Sequence, residues 1–255
     1  MASPSRIREV RGMTDDPLKQ LSDLKPKLLV DDTDAVLKRL LDAAKAKGGQ
    51  GGRVDIVMDN AGFELLSDWC LAEFLLSSGL ATSVHFHIKA MPWFVSDVTE
   101  KDFNWTLHQM SAMNHIAMSQ LAQKWKQRLN DKTWIIEVDN YWTMPNDYAQ
   151  MEELNPALYQ QLSQADLVIF KGDLNYRKLV GDLKWDYTTD FQTSLRGFLP
   201  APLCALRALK SNSVTGLKKG QAEVAEKESS QWMVTGEWAV LSFSSGKTTS
   251  QPCAC

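Results

Sequence analysis

The sequence predicts an α/β fold, with a mostly parallel sheet and helices on both of its faces. Short runs rich in β-branched and other apolar residues alternate with longer segments in which apolar residues recur at helical spacing. Strands that are separated by helices need crossover connections, which make successive strands parallel and cover both faces of the sheet. Polar residues follow each convincing strand, as expected where a functional crevice lies at the carboxyl ends of the strands.

The elements follow one another in the order that this fold requires. A helix is predicted over residues 34–47, closed by the glycine-rich turn of residues 48–52. The first strong strand, residues 53–58, leads through Gly62 into a helix over residues 63–76. Further strands are predicted at residues 83–89, 134–138, 166–170, 203–209 and 238–243, one long helix at residues 102–128, and a polar surface excursion at residues 216–230.

Length and composition set the domain organisation. With 255 residues, 44% of them hydrophobic, the chain is long enough to bury a full core. We expect one α/β domain over residues 28–245. The polar, proline-broken residues 1–27 are expected to be poorly ordered, and residues 246–255 are expected to form a flexible tail.

Composition and charge argue against several classes of protein. A net charge of −3 without a strongly basic block makes nucleic acid an unexpected partner. No run of about 18 apolar residues is present, so no membrane span is predicted, and the first residues lack the apolar core of a secretory signal. The four cysteines show no zinc-binding spacing, which is typical of a protein in a reduced, cytoplasmic compartment.

Oxygen-bearing side chains follow the first two predicted strands. Asp59 and Asn60 come directly after the first strand, and Asp97 comes after the second. Because the carboxyl ends of parallel strands meet at one edge of a sheet, we expect these groups to converge. Two carboxylates and an amide oxygen suit a hard divalent cation such as Mg²⁺ or Mn²⁺. An Asp-Asn pair before a helix is also a common cap, so the metal hypothesis depends on the other strand ends.

Cationic side chains follow the later strands. Lys171 and Arg177 come after the fourth predicted strand, and Lys210 comes after the fifth. Lysine and arginine side chains bind phosphate, and Gly172 lets backbone amides approach an anion closely. A metal site combined with a phosphate clamp is typical of phosphoryl transfer to water. Polar loops without a function are the alternative interpretation.

Four motifs carry a resemblance to a known family. They read DNAGFE at residues 59–64, WFVSD at residues 93–97, FKGDLNYRKL at residues 170–179 and PLCALRALK at residues 202–210. In this order they resemble the metal-dependent damage-control phosphatases, in particular the acidic residue methyltransferase-like, sugar-phosphate phosphatase branch. The resemblance runs from about residue 28 to about residue 245. It implies a Rossmann-like α/β domain that follows an all-helical amino-terminal domain. Because the sequence lacks that helical domain, we expect a truncated product, an isoform or a divergent short form.

The resemblance also implies site residues and a reaction. Asp59, Asn60 and Asp97 would be the catalytic residues and the ligands of a divalent metal ion, which would be Mn²⁺, Mg²⁺ or Ni²⁺. The substrate-binding residues would be Asp59, Asn60, Glu64, Asp173, Leu174, Asn175, Tyr176, Arg177 and Lys210. Family members hydrolyse small sugar phosphates, including fructose 1-phosphate and fructose 6-phosphate. The chain departs from the branch's Arg-Thr-x-Lys motif, because Ala208 stands where threonine is expected.

Two other functions stay open at this stage. Methylation of protein glutamates with S-adenosylmethionine has been attributed to the same branch, and the chain would then be a methyltransferase. The usual methyltransferase site has a glycine-rich loop after the first strand, where this chain has Asp59 and Asn60, so the phosphatase is favoured. The other alternative is an inactive truncated form that acts as a binding module. The sequence does not predict an oligomeric state.

Overall fold

A seven-stranded sheet forms the centre of the computed structural model, which describes residues 22–246. The strands, numbered along the chain, are β1 (Leu28–Asp31), β2 (Gly52–Val57), β3 (Ala81–Lys89), β4 (Trp134–Asp139), β5 (Leu167–Lys171), β6 (Leu203–Ala208) and β7 (Ala239–Ser244). Their order across the sheet is β1-β7-β6-β5-β2-β3-β4. All neighbours pair in parallel except β6 and β7, which are antiparallel. The predicted α/β class with a mostly parallel sheet is confirmed.

Helices cover both faces of this sheet. One face carries α1 (Thr33–Ala46), α2 (Phe63–Ser77), α3 (Glu100–Ala112) and α4 (Ile116–Asn130), and the other carries α5 (Met151–Leu154), α6 (Pro156–Leu162), α7 (Gly172–Leu179), α8 (Phe191–Ser194) and α9 (Gln221–Glu228). In β2, Val54 and Ile56 pack on the first face and Val57 on the second, so the strand is buried on both sides. Within residues 22–246, no helix is long and apolar enough to cross a membrane.

The long helix predicted over residues 102–128 is wrong, because the chain forms α3 and α4 in its place. Met113 follows α3 with an extended backbone (ψ 137°), which ends the helical hydrogen bonding. The side chain of His115 then caps α4 by accepting a hydrogen bond from the amide of Met118. Apolar periodicity averages over a break of a few residues, so the spacing alone does not reveal it.

Several short elements are absent from the sequence prediction. β1 is only four residues long and pairs with β7 at one edge of the sheet. α9 lies inside the predicted polar excursion of residues 216–230. A 3₁₀ helix, Lys25–Lys27, lies in the segment expected to be poorly ordered. Residues 1–21 and residues 247–255, on which the other terminal predictions fall, lie outside the described residues.

Candidate active site

The order of the strands creates a crevice between β2 and β5. From β2 the chain moves outward through β3 to β4, whereas from β5 it moves the other way to β6 and β7. Ligands of open α/β sheets bind at such a reversal, outside the carboxyl ends of the strands. A cavity of about 610 Å³ lies there. The predicted site residues that line it are Asp59, Asn60, Glu64, Asp97, Asp173, Leu174, Arg177 and Lys210.

Hydrogen bonds bring the three oxygen-bearing residues together. Asp59 and Asn60 follow β2, Asp97 lies beyond β3, and an isolated antiparallel bridge joins Asn60 to Asp97. The amide of Val98 donates to the carbonyl of Asp59 at 2.8 Å. The hydroxyl of Ser96 donates to Oδ1 of Asn60 at 2.6 Å. Two loops that are far apart in sequence are therefore joined directly at the crevice.

The carboxylates of the site form a cluster with surplus negative charge. Burial raises the pKa of Asp59 to about 7, and the charges of Glu64 and Asp97 add to this effect. Burial also raises the pKa of Asp97, although the ammonium of Lys89, 2.7 Å from its Oδ2, opposes the shift. A charged carboxylate in such a place is unfavourable unless a cation compensates it. The donor atoms and their charge therefore fit a divalent cation that prefers oxygen ligands.

Gly172 makes room for the Asp59 carboxylate. It is the first residue of α7, and its φ of 86° is a conformation that glycine adopts without strain. A Cβ at this position would lie 2.0 Å from Oδ2 of Asp59. The backbone at the start of α7 thus approaches the carboxylate more closely than a residue with a side chain allows.

We expect Gly172→Ala to weaken metal binding, because the added methyl group displaces the carboxylate of Asp59. Gly48→Ala is the matched control, since its φ is 73° and a Cβ there meets nothing within 4 Å. Both variants carry backbone strain of about 1 kcal/mol or more, so some loss of thermal stability is common to both. Calorimetric titration with Mn²⁺ separates them, and equal affinities of the two variants would contradict this role of Gly172.

Two lysines, one buried and one partly buried, hold the acidic residues from either side of β2. Lys89 ends β3 and Lys171 ends β5, the two strands that flank β2. Lys89 pairs with Asp97. The ammonium of Lys171 lies 2.6 Å from Oδ1 of Asp68 and 3.3 Å from Oε1 of Glu64, so this predicted phosphate ligand is already committed to two carboxylates. The sequence interpretation misses Lys89 and Asp68, although a lysine at the last position of both flanking strands is a usable signal.

The cationic wall of the cavity is built around Asp173. Its Oδ1 accepts hydrogen bonds from Nε of Arg207 at 2.7 Å and from the amide of Lys210 at 3.1 Å. The buried Arg207 therefore anchors the segment that carries Lys210. Lys210 lines the cavity, and it makes no ion pair with any of residues 22–246. Arg177 lines the same cavity and is held by Asp182 through hydrogen bonds of 2.8 and 2.6 Å.

Two of the residues predicted to bind substrate lie beneath the cavity. Asn175 is fully buried and donates from Nδ2 to the carbonyls of Met58 (3.2 Å) and Lys171 (2.8 Å), which ties the ends of β2 and β5 together. Tyr176 is also fully buried, and the guanidinium of Arg207 lies 4.3 Å from the centre of its ring. Both side chains support the cavity from below and neither forms its wall.

Fold and site together define a class of protein. An α/β protein whose cavity lies at the reversal point of a mostly parallel sheet, and is lined by both carboxylates and cationic side chains, is suited to bind a small anionic ligand.

Comparison with known proteins identifies the family. The profile of the damage-control phosphatase ARMT1-like domain matches residues 6–224. The chain is similar to the damage-control phosphatase ARMT1 of Xenopus laevis (48% identical over 229 residues, 89% of this chain and 52% of the relative) and of Danio rerio (47% over 231 residues, 90% and 52%). The human relative is 43% identical over 227 residues, which are 89% of this chain and 52% of that protein. The chain belongs to the ARMT1-like damage-control phosphatase family, which confirms the resemblance. It spans about half the length of the curated relatives it matches.

Proposed function

We propose that the chain is a metal-dependent phosphatase that hydrolyses small sugar phosphates of the fructose 1-phosphate and fructose 6-phosphate type. The observation that carries the proposal is the convergence of Asp59, Asn60 and Asp97 in one cavity that Arg177 and Lys210 also line. Oxygen ligands for a metal ion beside cations for a phosphate group are the requirements of phosphoryl transfer to water. The relatives, which are named damage-control phosphatases, support the same reaction class.

The proposed metal ligands are Asp59, Asn60 and Asp97, with Mn²⁺, Mg²⁺ or Ni²⁺ as the ion. A divalent ion held there would polarise a phosphoryl oxygen and lower the pKa of water. Asn60 supports this arrangement through its amide, because Nδ2 donates to Oδ2 of Asp59 at 2.7 Å and to Oε2 of Glu64 at 2.9 Å. Both carboxylates are thereby oriented by one side chain.

The proposed phosphate contacts are Lys210 and Arg177. Asp182 already holds the guanidinium of Arg177, which fixes the orientation of its fork, whereas the ammonium of Lys210 has no acidic partner among residues 22–246. Lys210 is therefore the uncompensated cation of the pair, whereas Arg177 would reach a phosphoryl oxygen through Nη1, because Asp182 already accepts from its Nε and Nη2. Such contacts stabilise the transition state when they strengthen as charge develops.

The strand ends favour this reaction over methyl transfer. The crevice beyond β2 begins with Asp59 and Asn60, whose side chains occupy the place where a glycine-rich loop would approach a nucleotide cofactor. An inactive binding module remains the other alternative, and activity measurements separate it from an enzyme.

Phosphate release from fructose 1-phosphate and fructose 6-phosphate, with each of the three ions and with chelator, tests the proposal. We expect hydrolysis with at least one ion and none in excess chelator. Asp131→Asn is a suitable control variant, because Asp131 is exposed and follows α4, away from the cavity. Full hydrolysis in chelator would reject the metal site. Absence of hydrolysis with every ion would support the binding module.

A further inference from the structure

The loop at the mouth of the cavity exposes two apolar side chains in an unusual backbone conformation. Phe94 and Val95 have φ angles of 45° and 69°, in the left-handed region that residues with a Cβ rarely adopt. A β-branched residue such as Val95 is a pronounced outlier there. Phe94 is 66% exposed and Val95 is 89% exposed. Burial of these side chains therefore does not account for the conformation.

Hydrogen bonds within the loop, and one from the segment that follows β2, hold the loop in place. The amide of Ser96 donates to the carbonyl of Phe94 at 2.8 Å, and the amide of Asp97 donates to the carbonyl of Trp93 at 3.3 Å. The carbonyl of Ser96 in turn accepts from the amide of Ala61 at 2.8 Å. Strained backbone persists only where the surrounding structure imposes it, and such places cluster at ligand clamps.

Phe94 is one of the residues that line the cavity. Phe94, Leu174 and Arg177 line both the 610 Å³ cavity and a neighbouring cavity of about 360 Å³, so they stand between the two. The ring of Trp93 packs edge-on against Phe94, with a centroid distance of 5.7 Å and an interplanar angle of 88°, which restricts the orientation of the Phe94 ring. The lining of the cavity thus includes apolar side chains as well as charged ones.

We propose that Phe94 is a specificity-determining residue whose ring packs against the carbon skeleton of a phosphate ester while the phosphate group lies at the charged end of the cavity. The inference rests on the proposed phosphatase function and adds to it a residue that discriminates between phosphate esters by their organic part. Esters whose organic part presents a face of C–H groups, as a hexose does, are bound better than small esters. The left-handed turn at Val95 keeps the ring over the cavity.

Binding of two phosphonates that cannot be hydrolysed tests this role without turnover. The phosphonate analogue of fructose 6-phosphate carries the hexose skeleton, and methylphosphonate does not. In calorimetric titrations with Mn²⁺ present, Phe94→Ala should weaken binding of the hexose analogue by about tenfold, which is the size expected for loss of an aromatic packing contact. It should leave the affinity for methylphosphonate unchanged. Val95→Gly should bind both as the wild type does, because glycine adopts a positive φ without strain.

Phe74→Ala is the matched control, since Phe74 is 59% exposed on α2 and does not line the cavity. It should leave both affinities unchanged. The inference would be overturned if Phe94→Ala weakened binding of both phosphonates equally or of neither. It would also be overturned if the wild type did not bind the hexose analogue. Hydrolysis of sugar phosphates is measured separately. Hydrolysis that does not change in Phe94→Ala would contradict only this inference. Binding of the hexose analogue that depends on Phe94, without any hydrolysis, would contradict only the proposed reaction.

Discussion

Asp59→Asn is expected to abolish phosphate-ester hydrolysis and, at the same time, to stabilise the metal-free fold. The substitution removes one negative ligand from the proposed metal site, which is worth several kcal/mol, so activity should fall by about three orders of magnitude or more. Asn60→Ala should weaken metal binding less, because it removes a dipole and leaves both charges. Activity of Asp59→Asn within tenfold of the wild type would contradict the assignment.

The gain in stability should depend on pH. Burial and the nearby charges of Glu64 and Asp97 raise the pKa of Asp59 from 3.8 to about 7 in the folded protein. The folded protein therefore holds the Asp59 proton more tightly than the unfolded chain does. The resulting contribution to stability is fully present below pH 3.8, where both states are protonated, and is lost as the pH rises through about 7. Because asparagine does not ionise, Asp59→Asn should unfold at a higher temperature than the wild type above about pH 7 and should show no such gain below pH 3.8.

Thermal unfolding in chelator, measured across this range of pH, checks the expectation. Asp97→Asn is the matched variant, because Asp97 pairs with Lys89, whose side chain is only 2% exposed. Loss of the Asp97 charge leaves a buried ammonium without its partner, which is unfavourable, so no stabilisation is expected. If Asp59→Asn is no more stable than the wild type at alkaline pH, the charged form of Asp59 is not destabilising in the folded protein, which would contradict the description of the cluster.

Lys210→Met is expected to lower kcat/KM for a sugar phosphate by roughly tenfold to a hundredfold. A charge-assisted contact is worth roughly 1.5–3 kcal/mol, and loss of charge stabilisation in the transition state lowers kcat as well as raising KM. Lys210 is exposed, so the fold should be unaffected. Lys45→Met, at an exposed position near the end of α1, is the control and should keep full activity.

The same variant separates phosphate recognition from methyl transfer. The affinity of the protein for S-adenosylmethionine, measured by calorimetry on the wild type and on Lys210→Met, should be weak or absent in both. Unchanged phosphatase kinetics together with lost S-adenosylmethionine binding would reverse the preference for a phosphatase.

The positions of Asp59, Asn60 and Asp97 are predictable because they depend on one general rule. Apolar runs mark β2 and β3, and residues that follow parallel strands share one edge of the sheet. The ion pairs of Lys89 and Lys171 are not predictable in this way. They depend on β3 and β5 lying on either side of β2, and the order of strands across a sheet cannot be predicted from local sequence patterns.

The face of α7 that meets the cavity follows from helical geometry. Asp173, Leu174 and Arg177 line the cavity, whereas Asn175 and Tyr176 point into the core. A motif marks all five as one unit, but a helix turns by about 100° per residue and separates them onto two faces. The proposed role of Phe94 is not predictable from the sequence for a different reason, since nothing in residues 93–97 indicates a positive φ at non-glycine positions.

A metal ion bound by Asp59, Asn60 and Asp97 is the central claim, and crystallographic anomalous scattering from protein soaked in Mn²⁺ tests it most directly. We expect one strong anomalous peak within about 2.5 Å of oxygen atoms from all three side chains, and loss of that peak in Asp59→Asn. A peak elsewhere on the protein, or no peak at Mn²⁺ concentrations that support hydrolysis, would contradict the account.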